Sequence, residues 1–495
     1  MYRKSDRTPE LPDFELPFEG QRDPSNRWVK LAKQVPWHEI EDDYAKSFAT
    51  KSKGEAALNV RVALGALLIK EIMGLSDRDV VQSIAENPYL QFFLGFKSFS
   101  VKAPFDASLM TTFRKRLSAE LVNKLNQRIV TKERQGVNPD DDGPDGPGGG
   151  DAPDRSDDES SNKGTLLMDA TCAPADMKYP TDLGLVNDAR ESSETLIDQL
   201  RDALPERPPR PRTNREICRR RFLEITKLRR KGTSKLRMCL RFLLNALERN
   251  LTFIDSYATK IEKLPAQTLE RIEVLRKILA QQRQMLKDKS HRVQDRIVSV
   301  SQPHVRPIVR GKAGREVEFG AKITVSLTDG FALLERLSWD AYNEASDLPP
   351  LCESYKARTG HYPEAVLADK LFRTRENLRY CKERGIRLSG PRLGCPPKEL
   401  DPELLKLEAS DSAQRNAIEG KFGQCKRRFG LSRVMAKLKG TSETAIAMTL
   451  LTANLIRLER DGSASSRPHL GNRGFRLLTH LAERRIPGEI PELAA

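Results

Sequence analysis

Three carboxylates, far apart along the chain, lie where acidic side chains can do chemistry. Asp169 ends the apolar run TLLMD, Asp369 ends the apolar run AVLAD, and Glu419 lies in the helix-prone stretch AQRNAIEGKFGQCKRRF. Strand ends open at the edge of a sheet where ligands bind, so we expect the two aspartates to meet if their strands are neighbours. Three such carboxylates can hold a pair of divalent cations, which clamps the attacking and leaving oxygens of a phosphodiester exchange.

Basic side chains accompany the third carboxylate. Arg415 lies four residues before Glu419 and Lys426 lies seven residues after it, so the three share one face of a helix. Each acid also has a plainer interpretation. An Asp after a strand is commonly a turn former, and an Arg–Glu pair at this spacing is commonly a surface ion pair worth about 0.3–0.5 kcal/mol. The spacing alone leaves both interpretations open.

Size and composition limit the class of protein. A chain of 495 residues is too long for one ordinary core, so we expect two or three domains. Its net charge of +16 makes nucleic acid the obvious polyanionic partner. No apolar run is long enough to predict a membrane span, and MYRKSDRTPELPDFELPFEG lacks the apolar core of a secretion signal. The scattered cysteines form no C-x2-C pair, which predicts neither structural zinc nor disulfides and fits a reducing cytoplasm.

Two segments concentrate the positive charge. One lies between Arg201 and Arg241, and the other, from Lys421 to Lys439, directly follows Glu419. A charge run is usually a solvated helix face. The second cluster adjoins a proposed metal carboxylate, which favours contact with phosphate there.

Composition and periodicity divide the chain into successive regions. These are a disordered N-terminus (1–24), a helical DNA-binding domain (25–135), an acidic disordered linker (136–163), an α/β catalytic domain (164–460) with a helical insertion at about 187–300, and a C-terminal tail (461–495). Arg114 and Arg116 lie on one N-terminal helix and suit DNA binding, although a purely structural bundle fits the periodicity equally well. The linker is rich in Gly, Pro, Asp and Ser and has almost nothing to bury.

Local signals predict several helices. Gly74 is expected to end one helix and Ser76 to cap the next. A later helix is expected to begin near Asp106 and to continue through Leu117 to Leu121. In the insertion, apolar residues repeat every seven positions over 236–261, which predicts a long antiparallel helical hairpin, with pairing between chains as the alternative.

Strand signals surround the insertion. Alternating or apolar runs predict strands at 164–174, 317–328, 331–338, 364–370 and 386–390. The turn Asp329–Gly330 is expected to join two of them in a hairpin. Asp169 is expected at the exit of the first strand.

Several segments carry the acids in a fixed order. They are LMDATCAPADMKYPTDLGLVNDARE, VRPIVRGKAGREVEFGAKITVS, VLADKLFRTRENLRYCKERGIRLSGPRLG and QRNAIEGKFGQCKRRFGLSRVMAKLKGTSETAIAMTLLTANL. Together they resemble the catalytic domain of bacterial insertion-sequence transposases of the DDE class, whose core is a ribonuclease-H-like α/β fold. LSDRDVVQSIAENPYLQFFLGF and DASLMTTFRKRL resemble the helical N-terminal domain of that family. The resemblance covers most of the chain apart from the acidic linker and both termini.

The resemblance implies roles for the three acids. In that family the first Asp follows the first core strand, the second follows the fourth, and the Glu lies on a later helix. Asp169, Asp369 and Glu419 would then be catalytic and would bind two Mg²⁺ ions, which Mn²⁺ could replace. The family also has the pattern Tyr-x2-Arg-x3-Glu-x6-Lys around the last acid. Ser412 stands where the Tyr is expected, so the resemblance does not extend to the hairpin pathway that this Tyr serves.

The resemblance also implies an activity and partners. The expected enzyme cleaves the ends of its mobile element by metal-dependent hydrolysis and joins the 3′-OH to target DNA, as a homodimer in the synaptic complex. It would work in the bacterial cytoplasm at the nucleoid. The residues expected to contact phosphate near the catalytic acids are Arg415, Lys426 and Arg427. Further backbone contacts are expected from His304, Arg306, Arg310 and Lys312, for which a basic hairpin surface is the alternative. A catalytically inactive DNA-binding regulator and a nuclease without strand transfer remain alternatives.

Overall fold

The computed structural model describes residues 20–48, 57–135, 162–230, 232–312, 315–390 and 402–465. The predicted acidic linker lies almost wholly outside these residues. Most of the predicted disordered N-terminus and C-terminal tail lies outside them too.

Within the described residues, one mixed sheet of six strands forms the centre of the fold. Its strands are β1 (Thr165–Pro174), β2 (Arg306–Lys312), β3 (Arg315–Thr328), β4 (Phe331–Ser338), β5 (Ala365–Leu367) and β6 (Arg387–Leu388). β1 pairs antiparallel with β3 on one side and parallel with β5 on the other, and β6 extends the sheet beyond β5. Both β2 and β4 pair antiparallel with β3. The chain therefore has a mixed α/β architecture with β1 in the interior of the sheet.

The predicted hairpin turn and one close approach depend on glycine. Asp329 and Gly330 both have positive φ, 51° and 78°, as a tight turn between right-twisted strands requires. At Gly320, a Cβ atom would lie 2.1 Å from the carbonyl oxygen of Ala173. Only glycine therefore allows β3 to approach β1 so closely.

The position of Asp169 differs from the prediction. β1 continues for five residues after Asp169, so this acid lies within the strand and not at its exit. The strand is longer because β3 pairs with it as far as Pro174, whereas β5 pairs only as far as Leu167. Asp169 therefore lies where β1 loses one of its two neighbours.

The N-terminal region is helical. Its helices are α1 (Arg27–Gln34), α2 (Glu41–Lys46), α3 (Val60–Met73), α4 (Asp77–Glu86), α5 (Pro88–Phe93), α6 (Leu109–Arg116) and α7 (Ala119–Gln135). Gly74 ends α3 in a left-handed conformation and the Ser76 side chain caps α4, as expected. The helix predicted to continue through Leu117 is interrupted there, because Leu117 leaves the helical region and Ser118 accepts a hydrogen bond from the Leu121 N–H.

The insertion consists of long helices packed against one another. They are α8 (Asp182–Ala203), α9 (Arg215–Thr226), α10 (Thr233–Ala258) and α11 (Ala266–Asp288). Pro265 lies between α10 and α11 and immediately precedes α11. The repeating apolar residues of α10, such as Leu247 and Ile254, are buried against Ile197 of α8 and Leu275 of α11. The repeat is thus covered within the chain, which favours the hairpin over pairing between chains.

The remaining helices cover both faces of the sheet. They are α12 (Leu348–Thr359), α13 (Arg375–Glu383), α14 (Pro402–Arg428) and α15 (Lys439–Ser465). α12 and α13 pack on the face that carries Met168 and Val366. α14 and α15 pack on the opposite face, in one continuous core with the N-terminal helices. No helix among the described residues is long and apolar enough to cross a membrane.

Candidate active site

The register of two parallel strands brings Asp169 and Asp369 to the same level. The last pair between β1 and β5 is Leu167 with Leu367, and each aspartate lies two residues beyond its leucine. Side chains alternate along a strand, so each aspartate is on the same face as its leucine. Asp369 is still extended (φ −68°, ψ 159°), and its carboxylate accepts a hydrogen bond of 2.6 Å from the Lys370 N–H. The two acids are therefore side by side where β5 ends.

Helix α14 crosses the sheet above these strands and is tied to it at two points. In the first half of the helix, the buried Asp411 carboxylate accepts a hydrogen bond of 3.0 Å from the Arg387 guanidinium on β6. Near its end, Lys426 Nζ donates to Thr171 Oγ1 of β1 at 2.9 Å. Glu419 lies between the two ties, on the stretch of helix that passes over the end of β5.

Arg415 connects the second acid to the third. Its guanidinium lies 3.9 Å from Asp369 Oδ1 and 3.5 Å from Glu419 Oε1. Only 25% of the Arg415 side chain is exposed, whereas Glu419 is 55% exposed. Exposed ion pairs of this kind contribute about 1 kcal/mol or less. Arg415 is thus the positive charge now placed between the two carboxylates.

The carboxyl group of Asp169 is in an environment that disfavours its charge. Burial raises its pKa from 3.8 to about 6, and the nearby carboxylates of Glu344 and Asp369 act in the same direction. The Ala170 N–H, which donates at 2.8 Å, and Arg415 only partly oppose this. A desolvated acid beside other acids is stabilised by a bound cation. The donor chemistry of this site therefore fits a divalent metal ion, for which carboxylate oxygens are preferred ligands.

The three acids do not yet form a closed coordination site. In the described part of the chain, no three His, Cys, Asp or Glu side chains are close enough to hold a metal ion together. The carboxylates would have to move closer before they could share a cation. Arg415 stands between two of them, so its displacement is one route to that closure.

Glu344 is an acid near the site that the sequence did not reveal. It begins a short 3-10 turn, and Lys322 Nζ of β3 lies 2.8 Å from its Oε1 atom. Its carboxylate is close enough to Asp169 to raise the pKa of that group. Nothing in the local sequence marks it, because the contact depends on β3 and on the chain after β4.

Two of the expected DNA contacts in the N-terminal helices are engaged in packing. Arg114 is buried, and its guanidinium binds Asp77 at 3.1 Å. Arg116 is half-buried, with its guanidinium 4.0 Å from the centre of the Phe48 ring. Both expectations came from helix periodicity, which does not reveal that α6 packs inside the bundle. Arg114 holds α6 against α4 and does not face solvent.

The expected contacts around β2 differ among themselves. The Arg306 guanidinium turns back to the Val305 carbonyl at 3.1 Å. Burial lowers the pKa of His304 to about 4, and its ring packs edge-on against Trp339, so it is neutral at physiological pH and does not attract phosphate as a cation. Arg310 and Lys312 belong to β2, and their side chains fall outside the described residues.

On α14, Arg427 is exposed and folds along its own helix. Its Nε donates to the Gly423 carbonyl at 3.2 Å. Ser412, at the position of the expected Tyr, is exposed on the same helix. The six described cysteines are all buried and have free thiols.

Two family models match the chain. One, described as "Transposase domain (DUF772)", matches residues 16–116, and the other, described as "Transposase DDE domain", matches residues 366–456. Together these matches support the recognition of a DDE transposase of an insertion sequence. The second match runs from β5 into α15, so it includes Asp369 and Glu419 but not Asp169.

One curated relative is also similar to this chain. It is named "Uncharacterized protein ORF8 in nfe locus" from Rhizobium meliloti, and it is 36% identical over 107 residues. That stretch is 22% of this chain and 51% of the relative, so the match spans about half of the relative's length. No solved structure matches the chain.

Proposed function

We propose that this chain is a DDE transposase that binds the terminal inverted repeats of its insertion sequence, hydrolyses a phosphodiester at each end, and joins the freed 3′-OH to target DNA. The observation that carries the proposal is the shared level of Asp169 and Asp369, with Glu419 on the helix that crosses above them. Acids from two adjacent strands and one helix are what a metal-dependent phosphodiester exchange needs.

We assign the core to the ribonuclease-H-like folds. The strands β1, β3 and β4 are antiparallel, and β5 and β6 run parallel to β1. If these five are the core strands, Asp369 follows the fourth, as the family pattern requires. β2 is then an additional strand at the edge of β3.

Asp169, Asp369 and Glu419 would hold two Mg²⁺ ions, with Mn²⁺ as a substitute. When bound, such ions lower the pKa of an attacking water and stabilise the departing 3′ oxygen. Asp169 must lose its proton to act as a ligand, and its raised pKa of about 6 makes that loss incomplete in mildly acidic solution. Activity should therefore fall as the pH is lowered through about 6.

Arg415 and Lys426 would bind phosphate oxygens near the scissile bond. Arg415 now pairs with two carboxylates that are needed elsewhere during the reaction. A DNA phosphate offers its guanidinium an alternative bidentate partner. Movement of Arg415 from Asp369 and Glu419 to the phosphate would release both acids at the moment when DNA is present.

The partners follow from the proposed reaction. Transposon-end DNA and target DNA are the substrates, and a homodimer would hold the two ends together. Residues 25–135 are proposed as a DNA-binding domain, although Arg114 is buried and would serve its folding. DNA contacts from that region would have to come from other side chains.

A cleavage assay on the flanking DNA tests the proposal. The unmodified chain with Mg²⁺ should nick and then join a labelled duplex that carries the inverted repeat bracketing its reading frame. Glu419→Gln should abolish both steps and leave binding intact. Glu408→Gln is the matched control, because it lies on the same face of α14 about 16 Å away.

The outcomes separate the alternatives. Binding without cleavage by the unmodified chain would indicate an inactive regulator. Cleavage without joining would indicate a nuclease. Equal loss of activity in Glu419→Gln and Glu408→Gln would remove the special role given to Glu419.

A further inference from the structure

The turn between α9 and α10 concentrates positive charge at one end of the insertion. Residues 217–241, which we call the basic tip, contain ten Lys or Arg and one acid, Glu224, a net charge of +9 out of +16 for the chain. Nine of these ten basic residues belong to the described residues, and all nine are exposed. None of the nine forms an ion pair with a carboxylate in that part of the chain.

The arginines just before the basic tip differ from it, because they pair with carboxylates of the insertion. Just before it, Arg207 pairs with Asp202 at 2.9 Å, and Arg210 and Arg215 both pair with Asp198, at 3.1 and 2.7 Å. These neighbouring arginines therefore have their charge balanced by the insertion itself. The described cations of the basic tip have no such carboxylate partners.

The positive charge at the start of α10 does not stabilise that helix. Helix α10 begins after Gly232 with no side-chain cap and no acid in its first turn, and Lys235 lies within that turn. A helix N-terminus carries partial positive charge, so cations there are unfavourable. Lys227, at the end of α9, is well placed for its own helix dipole. The other described cations of the basic tip are exposed and can attract an external anion.

From the catalytic acids, β1 runs toward one end of the sheet. The basic tip lies next to that end. Thr226 and Leu236, on the inner side of the turn, line a cleft of about 450 Å³. The opposite wall includes Tyr179, in the segment after β1, and Phe319 of β3. β1 extends for five residues past Asp169, a distance of about 17 Å. DNA that leaves the acids in this direction would pass the basic tip.

We propose that the basic tip binds the phosphate backbone of duplex DNA that extends away from the scissile phosphate. This inference rests on the proposed function, because it takes DNA held at the three carboxylates as the ligand. Phosphates along one strand are about 3.4 Å apart, so the tip would contact phosphates about five or more positions from the cut. Such contacts add affinity without reading sequence.

Salt dependence of binding tests this inference with a matched pair of variants. The tip variant is Lys227→Gln/Arg229→Gln/Arg230→Gln in the full chain. The control variant is Lys260→Gln/Lys263→Gln/Lys277→Gln, which removes the same number of exposed cations from parts of the insertion outside the basic tip. Helix α10 has 26 residues, which places Lys260 and Lys263 about 39 Å from the tip, and Lys277 lies halfway along α11.

The probes are a duplex with the flanking inverted repeat and a duplex of unrelated sequence. Each phosphate that a variant no longer neutralises should lower the slope of log affinity against log salt by about 0.9. The three substitutions together should lower the slope by about 2.7, so a fourfold rise in salt should weaken the unmodified chain about 40-fold more than the tip variant. The control variant should keep the slope of the unmodified chain.

Each result decides between the two proposals. If the tip variant keeps the unmodified slope, the inference is overturned, and cleavage of the end duplex by the unmodified chain still supports the proposed function. A reduced slope without any cleavage by the unmodified chain supports the basic tip as a DNA surface and contradicts the proposed function. Absence of binding to either duplex contradicts both. An unchanged DNA slope with abolished binding to phosphatidylserine vesicles would assign the tip to a membrane and overturn the inference.

A folding check completes the test. Both variants should unfold at the same urea concentration as the unmodified chain, because the exchanged side chains are exposed. If the triple tip variant does not fold, the single changes Arg229→Gln and Arg230→Gln should each lower the slope by about 0.9. Unchanged slopes in both single variants would overturn the inference.

Discussion

Replacement of Asp169 by Asn should stabilise the protein in the absence of divalent cations. Burial raises the pKa of Asp169 from 3.8 to about 6, and each unit of pKa corresponds to about 1.4 kcal/mol. Ionisation of this group above pH 6 therefore costs the folded state about 3 kcal/mol at most, since the side chain is only partly buried. Asparagine has nearly the same shape and cannot ionise, so Asp169→Asn should recover most of that free energy at neutral pH.

The pH dependence has a defined sign. The folded state holds the Asp169 proton more tightly than the unfolded state, so this group favours folding most at low pH. Its contribution to the free energy of unfolding falls as the pH rises from about 4 to about 6, and the loss is complete above that range. The free energy of unfolding of Asp169→Asn should not show this pH-dependent decrease. The variant and the unmodified chain should therefore be closest in stability near pH 4.

Urea unfolding over this pH range, without divalent cations, measures the effect. Mg²⁺ added at neutral pH should then stabilise the unmodified chain and have little effect on Asp169→Asn, because a ligand stabilises the state that binds it. A variant curve that runs parallel to that of the unmodified chain at all pH values would refute the reasoning. So would equal stabilisation of both proteins by Mg²⁺.

Three further changes test the supports of the site. Arg387→Met leaves the buried Asp411 carboxylate without its partner. Urea titrations should therefore show that the free energy of unfolding falls by about 1–3 kcal/mol. No change would mean that the pair does not anchor α14. Lys426→Met removes the hydrogen bond to Thr171 and should slow end cleavage about tenfold, equivalent to about 1.4 kcal/mol, with little change in the urea midpoint. His304→Phe should bind DNA within about twofold of the unmodified chain at both pH 6 and pH 8, because the low pKa of His304 leaves its ring neutral. A marked loss of affinity in a binding titration would contradict this prediction.

Local features of the fold were predictable because their causes are local. The Asp329–Gly330 turn, the left-handed Gly74 and the Ser76 cap each depend on a few adjacent residues. The break at Pro265 is equally local, because proline cannot continue a helix. The same holds for most helices and for the hairpin of β3 and β4.

Features set by distant pairing were harder to predict. The continuation of β1 past Asp169 depends on β3, more than a hundred residues later. β2 was not predicted as a strand, since it exists through pairing with β3. The burial of Arg114 depends on its partner Asp77 in another helix. Charge and periodicity alone give no information on which charged side chain a fold will enclose.

The candidate site contains some features that the sequence predicted and others that depend on contacts between distant segments. The types and spacing of Asp369, Arg415 and Glu419 were visible in the sequence, and the structure joins them through the Arg415 guanidinium. The contact between Lys426 and Thr171 required the path of α14 across the sheet. Glu344 was not found, because its proximity to Asp169 depends on the chain after β4.

Binding of Mn²⁺, followed by electron paramagnetic resonance, tests most directly whether the three acids form one metal site. The unmodified chain should bind Mn²⁺ at neutral pH, and Asp169→Asn, Asp369→Asn and Glu419→Gln should each weaken that binding by about tenfold or more, as expected when a ligand is removed. Glu408→Gln should bind as the unmodified chain does. Mn²⁺ binding that is unchanged in any one of the three site variants would contradict the account.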